Sequence, residues 1–429
     1  MTRFAITCAT AALAAGLGAG PAAAAPGDAY REGEVVVAPK HGAAKVVHVG
    51  GDDAVDPTVR ALRARPDLVR SAAPNPVARI AAARQAAPTE LVPDDPGTGK
   101  GWQELQWNFT GPYSVNAQQA WANAANAGGR GGRGVIVAVL DTGVAYRTAG
   151  RFRRSPDLTS KDFVRGYDFV DNDAHPDDHN GHGTHVASTI GEATNNGVGL
   201  TGLAYGARIM PVRVLDTIGE GDALAIAKGV RFATRRGANV INLSLEFSPE
   251  ITSEEIPELL DAIAAAREAG ILVVGASGNE GYRNVAWPAR ASNVLAVGAT
   301  TERGCLSEFS NEGRGLDIVA PGGGQDAGTT GEPNCLPSEI GRPIYQLTFT
   351  GSVRSFGLPG TYEGTSMAAP HVSATAALVI ASKVLGDKPT PSQLTAHLKR
   401  TARDLGPKGY DTRYGAGLID AAAATVPVR

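Results

Sequence analysis

Five apolar runs set the reading of the chain: GVIVAVL (134–140), ARIMPVRVL (207–215), NVINLSL (239–245), ILVVGAS (271–277) and NVLAVGAT (293–300). Each is continuous rather than alternating, the pattern of strands covered on both faces. Segments with helical spacing separate them, at 185–194, 222–237 and 254–270. This alternation predicts an α/β fold, a parallel central sheet with helices on both faces. In such sheets ligands bind beyond the carboxyl ends of the strands. Met367 to Ile380 reads as a further buried helix of small residues, and YGAGLIDAAAATVPVR closes the chain on a short one.

The N-terminal pattern differs. GEVVVAP (33–39) reads as a strand, PTVRALRAR (57–65) as a helix and LVRSAAPNPVARI (68–80) as a strand with a turn. Together they predict a small α+β unit of roughly 55 residues, at the margin of independent stability. The stretch 81–101 is rich in Ala, Pro, Gly and Asp and reads as a linker. Ahead of these, MTR supplies positive charge, FAITCATAALAAGLGAG is apolar, and PAAAAP carries an Ala-x-Ala pattern, with cleavage expected after Ala24. The other reading is a membrane anchor, for which the segment is short and rich in Ala and Gly. No other segment reaches the ~18 apolar residues of a span. The expected organisation is a signal peptide (1–24), the small unit (25–80), the linker (81–101) and one large domain (102–429), exported and free of the membrane.

Composition narrows the function. The 429 residues carry a formal net charge of −3, which gives no case for a nucleic-acid partner. Of three cysteines, Cys8 leaves with the signal peptide, so Cys305 and Cys335 form one even pair in an oxidising setting. A disulfide is expected, with two buried thiols as the other reading. It would contribute about 3–4 kcal/mol in the chain-entropy account.

Residues with chemistry fall at element ends. Asp141 follows VIVAVL, His182 and His185 begin a helix in HNGHGTHVAS, Asn279 follows ILVVGAS, and Ser366 opens the buried helix. Each alone has an ordinary reading: a turn aspartate, a metal-binding histidine pair, a capping serine. HGTH lacks the glutamate of the zinc-protease HExxH pattern. As a set, carboxylate, imidazole, amide and hydroxyl are the parts of acyl transfer.

AVLDTGV, GHGTHVA, INLSL, GNEG, FSNEG, DIVAPG and GTSMAAPHV carry a specific similarity. The sequence resembles the subtilisin-like serine peptidases from about Gln106 to Ala424, in the order Asp, His, Ser. The resemblance implies Ser366 as nucleophile, His182 as base and acid, Asp141 as its orienting carboxylate and Asn279 as oxyanion donor. It implies packing roles for His185 and His371. It also implies that 25–80 is an inhibitory propeptide, that polypeptide substrates bind as an added strand along Ser244, Leu245, Glu246, Ala276, Ser277 and Gly278, and that the enzyme is a monomer needing no cofactor for catalysis. A structural calcium is implied at Asp157, Asn196, the carbonyls of Val198 and Leu200, and Gln106, with one residue inserted before Asn195. The acidic loop 171–178 reads as solvated. Departures are Glu246 for the family's Gly, Ser188 for Gly in HVAG and Ser155 for His. The segment 323–362 reads as a surface insertion near the groove. Glu246 and Glu280 are expected to make the groove rim negative and to favour Lys or Arg near the first position before the cut. Two other readings are a catalytically dead relative that binds or inhibits, and a metallohydrolase using His179, His182 and His185.

Overall fold

The computed structural model describes residues 29–50, 52–80, 101–159, 162–328, 332 and 335–426. The expected signal peptide and residues 81–100 of the expected linker lie outside the described residues.

In the N-terminal unit, β1 (Tyr30–Pro39) pairs antiparallel with β2 (Lys45–His48) and β3 (Val69–Ile80), and α1 (Asp52–Arg63) packs on β1 and β3. Val35, Val37, Val55, Val59, Val69 and Ala72 make its core. The turn expected within 68–80 is absent. β3 runs through Pro74 and Pro76, opposite Val35 and Tyr30. Proline's fixed φ suits extended backbone, and a register shift between Tyr30 and Val35 falls at this point of the ladder.

The large domain opens with α2 (Gly101–Leu105), α3 (Trp107–Thr110) and α4 (Ala117–Asn126). There follow β4 (Ile136–Asp141), β5 (Tyr167–Asp168), α5 (His182–Gly191), β6 (Arg208–Arg213), β7 (Glu220–Asp222), α6 (Ala223–Arg235), β8 (Val240–Leu243), β9 (Leu245–Phe247), α7 (Pro257–Glu268) and β10 (Leu272–Ala276). The chain closes with β11 (Val294–Thr300), β12 (Ile318–Pro321), β13 (Thr348–Phe349), β14 (Phe356–Gly357), α8 (Thr365–Ser382), α9 (Pro391–Thr401) and α10 (Ala421–Ala424). Seven strands form one parallel sheet in the order β12-β11-β10-β8-β4-β6-β5.

Strand periodicity divides the core. Val137 and Val139 of β4 pack with α5 and α8, whereas Ala138 and Leu140 pack with α6 and α7. This is why the strands read as unbroken apolar runs: both faces are dry. The run 239–245 splits at Ser244. β8 stays in the sheet, while β9 leaves it and pairs with β3. β4, β8 and β10 thus end together at the carboxyl edge, carrying Asp141, Ser244 and Asn279 to one place.

Candidate active site

Asp141 is the last residue of β4 and is fully buried. His182, the first residue of α5, presents Nδ1 to Asp141 Oδ1 at 2.7 Å. Gly183 permits the approach, because a Cβ there would lie 2.1 Å from the Gly143 carbonyl oxygen and 3.1 Å from Asp141. The start of α5 is held by Asp178, which accepts from Gly181 and Asn180 N–H (both 2.9 Å), Thr184 N–H (3.0 Å), Thr184 Oγ1 (2.6 Å) and Thr142 Oγ1 (2.9 Å). Burial raises the Asp178 pKa against these bonds. The acidic loop is therefore not wholly solvated: Asp178 is buried, and Asp177 pairs with Arg147 at 2.6 Å.

Ser366 is the second residue of α8 and fully buried. Its hydroxyl donates to the Ser244 carbonyl at 3.0 Å, and the Ser244 hydroxyl donates back to the Ser366 carbonyl at 2.8 Å. Pro370 explains the second bond. Its missing N–H leaves the Ser366 carbonyl without an intrahelical donor, and Ser244 supplies one. Pro370 lies beyond the first turn of α8, so this exchange, rather than the free first-turn N–H groups, accommodates it. His182 Nε2 is buried without a hydrogen-bond partner while the Ser366 hydroxyl is turned to Ser244.

Asn279 follows β10. Its Oδ1 accepts from Thr365 N–H at 2.8 Å and from Thr365 Oγ1 at 3.1 Å, which fixes the direction of its NH2 group. That group leans towards Glu246 Oε1 at 3.4 Å, and the Asn279 N–H donates to Glu246 Oε2 at 3.1 Å. Gly278, at φ +112°, leaves space for this carboxyl: a Cβ would meet Glu246 Oε2 at 2.6 Å. Glu246 is buried (7% exposed), and burial, reinforced by the neighbouring Glu280, pushes its pKa well up. The expected two-carboxylate rim is corrected here. Glu246 points inward onto Asn279, because the N–H groups that can satisfy it lie inside.

Leu245 and Glu246 lie on β9, which pairs antiparallel with β3: Ile80 faces Leu245, Arg79 faces Glu246 and Ala78 faces Phe247. On its other edge β3 meets β7, with Arg79 opposite Glu220. The N-terminal unit's last strand thus lies between two strands of the large domain, in a groove that runs to Ser366. Ala276, Ser277 and Gly278 are buried at the end of β10, with Ser277 Oγ donating to the Asn311 carbonyl at 3.0 Å. Further contacts join the two units: Tyr30 to Glu255 at 2.5 Å, Arg70 to Glu258, and Arg31 to Asp216 at 3.8 Å.

A cleft of about 850 Å³ opens beyond Ile80, lined by His182, Gly219, Phe349, Val353 and Tyr362. Its outer wall is the β13–β14 hairpin, within the segment expected to be an insertion. Residues 329–331 and 333–334 of that segment are outside the described residues. The hairpin is fastened to α5: Ser188 Oγ donates to the Leu347 carbonyl at 3.0 Å, and His185 stacks on Tyr362 at 4.2 Å. Ser188, a departure from the family pattern, thus has a partner in this insertion. His185 also binds the Ile344 carbonyl, and His371 bridges Met367 and Asn108. Burial lowers their pKa values to about 3 and about 4. Cys305 and Cys335 are joined in a disulfide.

At the expected calcium site, Asp157 accepts from the Asn196 amide (2.6 Å) and from Leu200 N–H (3.1 Å). Val198 N–H turns to Asn196 Oδ1 at 3.0 Å. Gln106 binds the Thr201 backbone at 2.8 and 3.3 Å and braces the loop. The inserted residue is absorbed by left-handed backbone at Asn195, Gly197 and Gly199. Glu192, not singled out by sequence, is buried beside Asp157, its Oε2 without a partner. Burial and the Asp157 charge raise its pKa well above the ordinary range. Two adjacent buried carboxyls need a shared proton or a cation, and the donors are hard oxygens that suit calcium.

Residues 132–417 match the subtilase family. The chain is 39% identical over 315 residues to Subtilisin Savinase of Lederbergia lenta, covering 73% of this chain and 98% of that protein. It is equally similar, at 39% over 315 residues, to an alkaline protease of Alkalihalobacillus alcalophilus, covering 73% and 70%. A solved protease from Pseudoalteromonas arctica superposes with a TM-score of 0.62 at 30% identity, covering 78% of this chain and 98% of that one. No described helix is long and apolar enough to cross a membrane. With a buried Asp–His pair beside a helix-borne serine and these relatives, the chain belongs to the subtilase family and is a serine endopeptidase.

Proposed function

We propose that this is a secreted peptidase, made as a self-processed zymogen, that cleaves polypeptides through Asp141, His182 and Ser366. The observation that carries the reading is β3, laid as an antiparallel strand between β7 and β9 and directed at Ser366. Backbone pairing supplies affinity for any extended peptide. Ser366 Oγ attacks the peptide carbonyl carbon after turning from Ser244. His182 Nε2 takes the hydroxyl proton and returns it to the leaving amine. Asp141 holds the Nδ1–H tautomer and stabilises the imidazolium. The second N–H of the Asn279 amide and the Ser366 N–H receive the oxyanion, with the N-terminal field of α8 adding to them. The acyl-enzyme is then hydrolysed by water in the same sequence of proton transfers. None of these steps requires a cofactor.

In this reading residues 1–24 are a signal peptide, 25–80 an inhibitory propeptide, 81–101 the maturation linker and 102–429 the peptidase. Ser244, the next residue along from Leu245 at the Ile80 end of the ladder, accepts the Ser366 hydroxyl on its carbonyl, so the bond attacked is taken to lie one residue past Ile80. Cleavage is therefore proposed after Ala81. Calcium, where bound, is held by Asp157, Glu192, Asn196 and the carbonyls of Val198 and Leu200, and its role is stability: added calcium should raise the melting temperature and a chelator lower it, with Glu192→Gln removing the response. Mass spectrometry of the propeptide released from purified precursor tests the central reading. A fragment ending at Ala81, absent in Ser366→Ala, is expected; processing of the purified variant alone would overturn it.

A further inference from the structure

Arg79 is the second-last residue of β3. In an antiparallel ladder, directly opposed residues turn their side chains to one face. Arg79 is opposed by Glu220 on β7 and by Glu246 on β9, so a glutamate flanks it on each side. The two differ. Glu246 is committed to the Asn279 N–H at 3.1 Å, whereas Glu220 Oε1 accepts from Arg79 Nε at 3.0 Å. The Arg79–Glu220 pair stands at the open edge of the groove, 35% and 24% exposed.

The neighbouring backbone fixes this match. Ile80 N–H donates to the Gly219 carbonyl at 2.8 Å, and a Cβ on Gly219 would meet Ile80 Cγ1 at 2.7 Å. Residue 219 must therefore stay bare for a peptide to lie here, and residue 220 is the next position able to present a side chain. By the register that sets the cut after Ala81, Arg79 is the third residue before the scissile bond.

We propose that Glu220 is a specificity-determining residue that selects Arg or Lys at the third position before the cut, in substrates as in the chain's own precursor. This rests on the reading that β3 lies as a substrate does. The expected preference is small because the pair is partly exposed to solvent: roughly two- to fivefold in kcat/KM for a basic over a neutral side chain. It should appear in KM rather than kcat, since the ion pair is the same in the bound and transition states. Salt should weaken it.

The experiment compares matured wild-type enzyme with Glu220→Gln and Glu220→Arg on quenched peptides differing only at that position: Arg, Lys, Gln or Glu. Cleavage sites are read by mass spectrometry, at low salt and near 1 M NaCl. Wild type should prefer Arg and Lys over Gln, and Gln over Glu, through KM. The order should flatten in Glu220→Gln, reverse in Glu220→Arg and shrink in high salt. Equal rates on the Arg and Glu peptides, with the Gln peptide cut well, would overturn the proposal while leaving the peptidase intact. So would an undiminished preference in Glu220→Gln. Cutting at a shifted bond would refute the register, and no cutting of any peptide would overturn the peptidase reading itself.

Discussion

The N-terminal unit rests on one cluster of six buried apolar side chains, while the large domain packs both faces of its sheet with extensive clusters. The small unit completes its structure on the large one: β3 continues onto β7 and β9, and arginines 31, 70 and 79 meet carboxylates of the large domain. One part of the chain is a marginal fold stabilised by what it binds. The other buries polar and charged groups such as Asp141, His182 and Glu192 within a core large enough to hold them. On the proposed reading, this difference lets the same groove accept the chain's own strand first and foreign strands afterwards.

The sharpest break of this comparison is Ser366→Ala, which should lower kcat by about 10⁶-fold, the size seen for subtilisin's own serine. The two parts should then stay covalently joined on a denaturing gel. Asn279→Leu should lower kcat by about 10²–10³ with little change in KM, again the size seen in subtilisin. A KM effect with unchanged kcat would show that Asn279 binds rather than stabilises the oxyanion.

Acid should separate the parts next. His185 and His371 are buried in the large domain with pKa values lowered to about 3 and about 4, whereas His41 and His48 of the small unit are exposed. Below about pH 6.5 the unfolded chain binds protons that these two imidazoles refuse when folded. These two imidazoles therefore lower the stability of the large domain as pH falls, by about 1.4 kcal/mol per pH unit each until pH nears 4, while the buried carboxyls of Asp178, Glu192 and Glu246, with pKa values raised by burial, act in the opposite sense. Melting curves of Ser366→Ala between pH 7 and 4.5, with and without His371→Gln, isolate the histidine share, and the same pH slope in both variants would contradict it. The smallest effect is expected from Val35→Ala in the small unit, about 1–2 kcal/mol. That is enough to unfold an isolated 25–80 fragment, seen by circular dichroism and as weakened inhibition, with the matured enzyme's melting unchanged.

Much of this is legible in the sequence. β4, β6, β8, β10 and β11 announced themselves because strands buried on both faces must be apolar throughout. Asp141, His182, Asn279 and Ser366 stood out because each ends an element within a distinctive motif. What was not legible depends on tertiary approach. β5 and the β13–β14 hairpin are too short to carry a period. The inward turn of Glu246 depends on a bare Gly278 just past the end of β10. Glu220 acquires meaning only when Arg79, 141 positions earlier in the chain, is laid beside it. Asp178 looked like loop acidity because its five donors come from local backbone and threonines. The donor that Pro370 withholds from the Ser366 carbonyl comes from Ser244, 122 residues away from Ser366.

The flanking of β3 by strands on both edges carries a consequence for the choice of target. A peptide held this way must give up its own backbone hydrogen bonds over several consecutive residues, on both sides at once. A helix cannot do so, nor can a strand already paired in a sheet. For a folded protein as target, the cleavage rate then follows the fraction of time a segment is locally open, when opening and closing are fast relative to cutting. The groove is in this sense a gauge of foldedness: it registers how often a chain lets go of itself before it registers which side chains that chain carries.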